Sequence, residues 1–225
     1  MKTVVDITLR ELDDNDLVEA ARVVSRGMRD NPANVRAFAT EDAVKRTRSL
    51  ERFFGPVLRS LRQRGVIMAA FRDGVMIGVC GMARPGRCQP TLMQKASIVP
   101  SVIYGNPLGT AIRVLRWTGE WARRDPAETH WHLGPVAVDA HLHGQGIGGA
   151  MLGAFCSRMD QAHSVSYLET DKWENVFFYR KFGFRVIGEG KVLGILNWFM
   201  SRRPQETTVT STTSFVGALD RIERK

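Results

Sequence analysis

Residues 141–152 read HLHGQGIGGAML and crowd four glycines, Gly144, Gly146, Gly148 and Gly149, into six positions. The run stands between VAVD (136–139) and apolar residues at helical spacing, Ile147, Met151, Leu152 and Phe155. Backbone N–H groups at the start of a helix have no partner within it, and the aligned peptide dipoles add partial positive charge there. That end of a helix accepts anions. Glycine removes the Cβ that would keep a phosphate from those amides and permits backbone angles that other residues resist. An anion-binding turn is the functional reading of the segment; a glycine-rich turn with no ligand is the bland one.

Two anion-binding patterns compete here. Gly144, Gly146 and Gly149 satisfy GxGxxG, and Glu169 follows about twenty residues later at the end of an apparent strand, as a dinucleotide-binding fingerprint requires. Such a fold needs several further strand–helix units after the fingerprint, and the remaining chain is too short for them. The half of the chain before the glycines already carries helices and a hairpin, which also argues against it.

The residues around the glycines resemble instead the GNAT superfamily of N-acetyltransferases, whose signature is Gln or Arg, two variable residues, Gly, one variable residue, and Gly or Ala. The matching positions are His143-Gly144-Gln145-Gly146-Ile147-Gly148, preceded by LGPVAVD and followed by GGAML. A second block, LETDKWENVFFYRKFGF (168–184), follows at the family's usual distance. The resemblance is specific over residues 131–188 and looser from residue 5 onward. It implies an α/β fold with a central mixed, mostly antiparallel, twisted sheet flanked by helices, in which the fourth and fifth strands splay apart. It also implies acetyl-CoA as cosubstrate, with the pyrophosphate on His143 to Gly149 and the pantetheine arm along Val136, Ala137 and Val138. The departure is His143, where a neutral imidazole contributes less charge than Arg.

The resemblance further implies direct transfer of acetyl to a primary amine of a small molecule or protein, with no covalent enzyme intermediate. Tyr179 is then the general acid that protonates the departing sulfur, and Asn175 a coenzyme A contact. Candidate bases are Glu169 and His132, with an ordered-water relay as the alternative. The rival reading is a GNAT-like module that binds an acyl-CoA or a regulatory partner without turnover. His130 and His132 could suggest a metal, but two strand histidines with no nearby third ligand are more often structural, and no metal site is assigned.

Composition bounds these readings. The chain has 225 residues, 44% hydrophobic and 24% charged, which suits one soluble domain over residues 1–204 with a Thr/Ser-rich tail over 205–225. The tail either completes the fold or swaps onto a neighbour in a homodimer. No apolar run approaches the ~20 residues of a membrane span, and the N-terminal segment turns acidic before a secretory core can form. A cytoplasmic location is expected. A net charge of +9 raises the question of nucleic acid. The basic residues of RTRSLERFFGPVLRSLRQRG (46–65) recur as on the solvated side of an amphipathic helix, so a nucleic-acid partner is disfavoured. Cys80, Cys88 and Cys156 form no CxxC pair and read as buried or idle thiols.

Along the chain, TVVDITLREL (3–12) predicts a strand and DLVEAARVVSRGMRD (16–30) a helix capped by Asp14 or Asn15 and stopped at Asn31-Pro32. EDAVKRTRSLERFFGPVLRSLRQRG (41–65) predicts a helix kinked or divided at Gly55-Pro56. VIMAAFRDGVMIGVCGMA (66–83) is a hairpin turning at Asp73-Gly74. Residues 84–107 read as a long ordered loop with short helical pieces, which with the first two helices forms the acceptor wall. Helices over 108–124, 144–162 and 173–182 and strands over 129–139, 164–171, 183–190 and 192–203 complete the set. Pro135 marks a bulge or a divergence of its strand from a neighbour. Trp117 and Trp121, four apart on a helix, belong to the core by periodicity.

Overall fold

Asp73 and Gly74 take φ of 51° and 76°, the left-handed pair that a tight hairpin needs, and join β2 (Gly65–Arg72) to β3 (Val75–Ala83). This hairpin is the centre of one half of a sheet. The computed structural model describes residues 6–206, so the start of the strand expected over 3–12 and most of the tail expected over 205–225 lie outside the described residues. The remaining elements are β1 (Thr8–Glu11), α1 (Leu17–Met28), α2 (Pro32–Phe38), α3 (Ala43–Arg64), α4 (Leu92–Ile103), α5 (Leu108–Ala122), β4 (Trp131–Val138), α6 (Ile147–Gln161), β5 (Ser166–Thr170), α7 (Trp173–Arg180), β6 (Arg185–Val192) and β7 (Ile195–Arg202). The seven strands run in the order β1-β2-β3-β4-β5-β7-β6. Every neighbouring pair is antiparallel except β4 and β5, which are parallel.

Strand alternation builds two cores, because successive side chains leave a strand on opposite faces. Ile67, Ala69, Val79, Tyr167 and Phe199 join the apolar faces of α1, α2, α3 and α5 on one side. Their neighbours Ala70, Cys80, Leu168 and Met200 join α6 and α7 on the other. Trp117 is buried in the first of these cores, as its spacing predicts.

Several local expectations are corrected by hydrogen bonds the chain makes instead. Asp13, not Asp14 or Asn15, caps the first helical segment: it accepts from the Asn15 amide while the Asp16 carboxylate accepts from the Asp13 amide, around a short 3-10 turn that leads into α1. Pro32 does not merely stop a helix; it occupies the first turn of α2, where a missing N–H costs nothing. The α3 helix runs undivided through Gly55 and Pro56, with Phe53, Phe54, Leu58 and Leu61 buried on both sides of the proline. Residues 92–103 form a full helix, α4, started by a capping box between Thr91 and Gln94. The last hairpin turns at Leu193-Gly194, with φ of 52° and 83°, inside the stretch read as one strand.

At the end of β7, Arg202 is buried and makes a two-pronged pair with Asp160 of α6, both N–O distances being 2.7 Å. The Arg202 Nε also donates to the Phe182 carbonyl. The hydrogen bond from Arg202 holds the Asp160 carboxyl below its ordinary value, against the opposing pull of desolvation. Because the folded value is depressed, the stability from this pair is full above pH ~4 and is lost as the pH falls through the folded value. Asp160→Asn, measured by urea denaturation, is expected to cost about 3 kcal/mol at neutral pH and to flatten the acid limb of the stability curve. An unchanged midpoint at pH 7 would contradict the pairing.

Candidate active site

The bulge predicted at Pro135 is where the site begins. On β3 the single residue Gly81 stands opposite both Gly134 and Pro135, between the pairs Cys80–Val136 and Met82–Leu133. A Cβ at Gly81 would come within 2.8 Å of the Gly134 carbonyl oxygen and 3.0 Å of the proline ring, so glycine is needed for the close approach. On its other edge β4 pairs with β5 only at Trp131–Ser166 and His132–Tyr167. Past His132 the two strands separate, and the β5-facing edge of Leu133 to Val138 has no strand partner among the described residues.

Beyond Val138 the chain is fastened to the sheet. The Asp139 amide donates to the Ile77 carbonyl, and its carboxylate accepts from Arg26 Nε of α1 at 2.7 Å. Burial alone would raise this carboxyl, but Arg26 and then His141 outweigh it and hold it below its ordinary value. Gly27 lets α1 lie directly on this point, since a Cβ there would stand 2.3 Å from the Val138 oxygen. Gly144 and Gly146 then take φ of 79° and 83°, and Gly146 caps α6 with no side chain over the helix start. The first intrahelical bond comes from the Ala150 amide to the Gly146 oxygen, so the amides just before it point outward unpaired. His143 turns back, its Nε2 donating to the Val138 oxygen at 2.9 Å, and Gln145 accepts from Arg72 at 3.0 Å. Gly148 and Gly149 face Phe178 and Phe182 at ordinary contact distances. Packing does not forbid a side chain at either.

Where β4 and β5 part, a cavity of about 380 Å³ opens between the strands and α3, α4 and α5. Its walls are mostly apolar, with Phe53, Phe54, Ile98, Val102 and Trp117 among them. Glu169, Asn175 and Tyr179 line its floor with Leu133 to Val136. Tyr179 packs its ring edge-on to Phe184, and burial, then the charges of Cys80 and Asp171, raise its hydroxyl above the usual phenol value. Glu169 accepts from His132 Nε2 at 2.8 Å through Oε2, while its Oε1 is buried without a partner. Asn175 donates to the Thr170 hydroxyl at 3.1 Å, which braces the end of β5.

The structure therefore brings His132, Val136, Glu169, Asn175 and Tyr179 to one cavity, whereas Ala137, Val138 and the loop from His143 to Gly149 continue beyond its mouth. Three residues were missed. Asp171 lines the cavity and accepts from the Ala33 amide of α2 at 2.6 Å, and burial raises its carboxyl. Cys88 and Asp125 lie beside His130 and His132, so the absence of further ligands assumed from sequence does not hold. Burial would raise the Cys88 thiol, but the hydrogen bond to His130 and the charge of both His130 and His132 bring it down to about 7. Burial would likewise lower His132, but Glu169, Asp125 and Cys88 hold it well above its ordinary value. This corner of the protein favours positive charge. His163, at the end of α6, is not in the group.

A sheet in this order, with one parallel pair opened past its second residue and a glycine-started helix at the opening, defines a GNAT, or acyl-CoA N-acyltransferase, fold. The family model described as an acetyltransferase (GNAT) domain matches residues 102–186. A solved structure from Corynebacterium glutamicum, described as histone acetyltransferase HPA2 and related acetyltransferase, aligns over 90% of this chain and 99% of its own at 22% identity and a TM-score of 0.65. An N-acetyltransferase from Staphylococcus aureus aligns over 88% and 98% at 12% identity and a TM-score of 0.52. The paia N-acetyltransferase of Thermoplasma acidophilum, in complex with coenzyme A, does so over 88% and 99% at 15% identity and a TM-score of 0.50. The domain match and these likenesses agree on a GNAT fold for this chain. No described helix is long and apolar enough to cross a membrane.

The two kinds of glycine separate on mutation. Gly146→Ala forces a left-handed backbone on a residue with a Cβ and is expected to cost about 1 kcal/mol or more in urea denaturation. Gly148→Ala meets only ordinary contacts and gains helix propensity, so its change is expected within about 0.5 kcal/mol of zero or stabilising. The reverse order would contradict the geometry at the start of α6.

Proposed function

We propose that this protein transfers acetyl from acetyl-CoA to a primary amine carried on an apolar body. The observation that carries the reading is a continuous path: unpaired amides before α6, the open edge of β4, and a cavity where Glu169 and Tyr179 meet it. The pyrophosphate lies on the amides of Gly144 to Gly149, with His143, Gln145 and Ile147 shaping the turn. The pantetheine arm runs along Val136, Ala137 and Val138, near Asn175. The N-acetyltransferase names of the structural neighbours, one of them in complex with coenzyme A, support this use of the fold.

A thioester is already activated, so the protein has to orient the amine, strip its proton and protonate the leaving sulfur. Glu169 takes a proton from the incoming ammonium; its unpaired Oε1 is free to do so while His132 Nε2–H holds Oε2. His132 is thereby assigned as the residue that positions Glu169 rather than as the base. The free amine attacks the acetyl carbonyl carbon, the C–S bond breaks as Tyr179 gives its hydroxyl proton to the departing thiolate, and the second proton that the nitrogen sheds on becoming an amide restores the Tyr179 hydroxyl. The products are an acetamide and coenzyme A thiol. The apolar walls of Phe53, Phe54, Ile98 and Trp117 exclude water and select a hydrophobic acceptor.

Free thiol release from acetyl-CoA across a panel of primary amines tests the reaction, with hydrophobic amines expected to outpace charged ones. Tyr179→Phe is expected to lower kcat tens-fold or more with little change in acetyl-CoA affinity, and Glu169→Gln to lower it about a hundredfold. Coenzyme A binding without thiol release from any amine would favour the non-catalytic module instead.

A further inference from the structure

Four potential ligands converge beside the cavity: Cys88 from the loop after β3, Asp125 from the loop after α5, and His130 and His132 from the start of β4. One donor atom from each lies within 4.8 Å of all the others. Cys88 Sγ is 3.4 Å from His130 Nε2, which is 3.1 Å from Asp125 Oδ1, and that oxygen is 3.4 Å from His132 Nδ1. For bonds of about 2.0–2.3 Å, the edges of a coordination tetrahedron are about 3.3–3.8 Å. The spacing is close to that of a closed four-coordinate site.

The outward side of three of the four ligands is already held. His130 Nδ1 donates to the Glu128 carbonyl at 2.7 Å, His132 Nε2 donates to Glu169 at 2.8 Å, and Asp125 Oδ2 accepts from Gln89 at 3.2 Å. These are the outer contacts that orient metal ligands and fix which imidazole nitrogen is free. With those protons committed outward, the inward atoms are a sulfur, a carboxylate oxygen and two ring nitrogens, all electron donors. His132 Nδ1 is buried and has no hydrogen-bond partner. Such a cluster needs either two further protons or one divalent cation at its centre.

We propose that Cys88, Asp125, His130 and His132 hold one zinc-type divalent metal ion in a tetrahedral structural site. Binding releases the thiol proton and any inward imidazole proton, and one thiolate and one carboxylate neutralise the ion. Cys88 and Asp125 stand at the two ends of the segment that contains α4 and α5, so the ion fastens both ends of the cavity wall to β4. The site does not depend on the transfer reaction, and its test reads metal rather than activity.

The full-length reduced protein, freed of metal by a chelator, is titrated with Co²⁺ and then Zn²⁺. The expected result is one Co²⁺ per chain, with the intense visible bands of tetrahedral cobalt and a thiolate-to-cobalt charge-transfer band, displaced by one Zn²⁺. Cys80 and Cys156 are buried in the second core, which leaves Cys88 as the thiol positioned to give that band. Cys88→Ser is expected to abolish the band, and Cys88→Ser and His130→Ala to weaken Zn²⁺ binding by about a hundredfold or more. X-ray absorption of the zinc-loaded wild type, expected to show one sulfur and three nitrogen or oxygen neighbours, decides the case should either variant fail to fold. No stoichiometric binding, a weak octahedral cobalt spectrum without the sulfur band, or folded variants that bind like wild type would each overturn the site.

Discussion

Two strands that pair at one end and part at the other are the constraint on which this molecule depends. Parallel β4 and β5 share the pairs at Trp131 and His132 and then diverge. An open strand edge inside a protein is ordinarily a liability, because its backbone donors and acceptors go unmet. Here the opposite edge of β4 remains bound to β3 through a bulge that only a glycine at 81 allows. The strand is therefore held firmly on one side while its other side faces a cavity. On the proposed reading, that unmet backbone is what a pantetheine arm completes.

The start of α6 depends on the same geometry. Its outward amides are useful to an anion only if the helix cannot shift, and it is fixed at both ends. Phe178 and Phe182 of the α7 segment lie against Gly148 and Gly149 near its start, and Asp160 near its end is gripped by Arg202. Asp139, held by the Ile77 oxygen and Arg26, fixes the loop's entry. The glycines thus differ: Gly144 and Gly146 supply left-handed backbone, while Gly148 and Gly149 let Phe178 and Phe182 pack at ordinary contact distance.

Much of this was legible because it is local. The Asp73-Gly74 turn, the divergence at Pro135, the glycines before a helical apolar pattern and the burial of Trp117 each follow from a few neighbouring residues. The Thr91-x-x-Gln94 capping box was equally local, yet Pro90, Pro100 and the lost periodicity masked α4. Pro56 misled in the other direction: burial on both sides of it held α3 together against the local rule. The grouping of Cys88 and Asp125 with the two histidines was not legible, since those residues meet only when the segment carrying α4 and α5 returns to the sheet. His130 and His132, two apart on a strand and so on one face, were the single local hint.

The joined opening of β4 and the amides before α6 carry the whole functional reading. A crystal structure grown with coenzyme A tests it most directly. The expected result is a diphosphate within hydrogen-bonding distance of the backbone amides of Gly144 to Gly149, with the pantetheine chain bonded along Val136 to Val138. A cofactor whose phosphates sit elsewhere on the protein, or whose arm does not enter between β4 and β5, would contradict it.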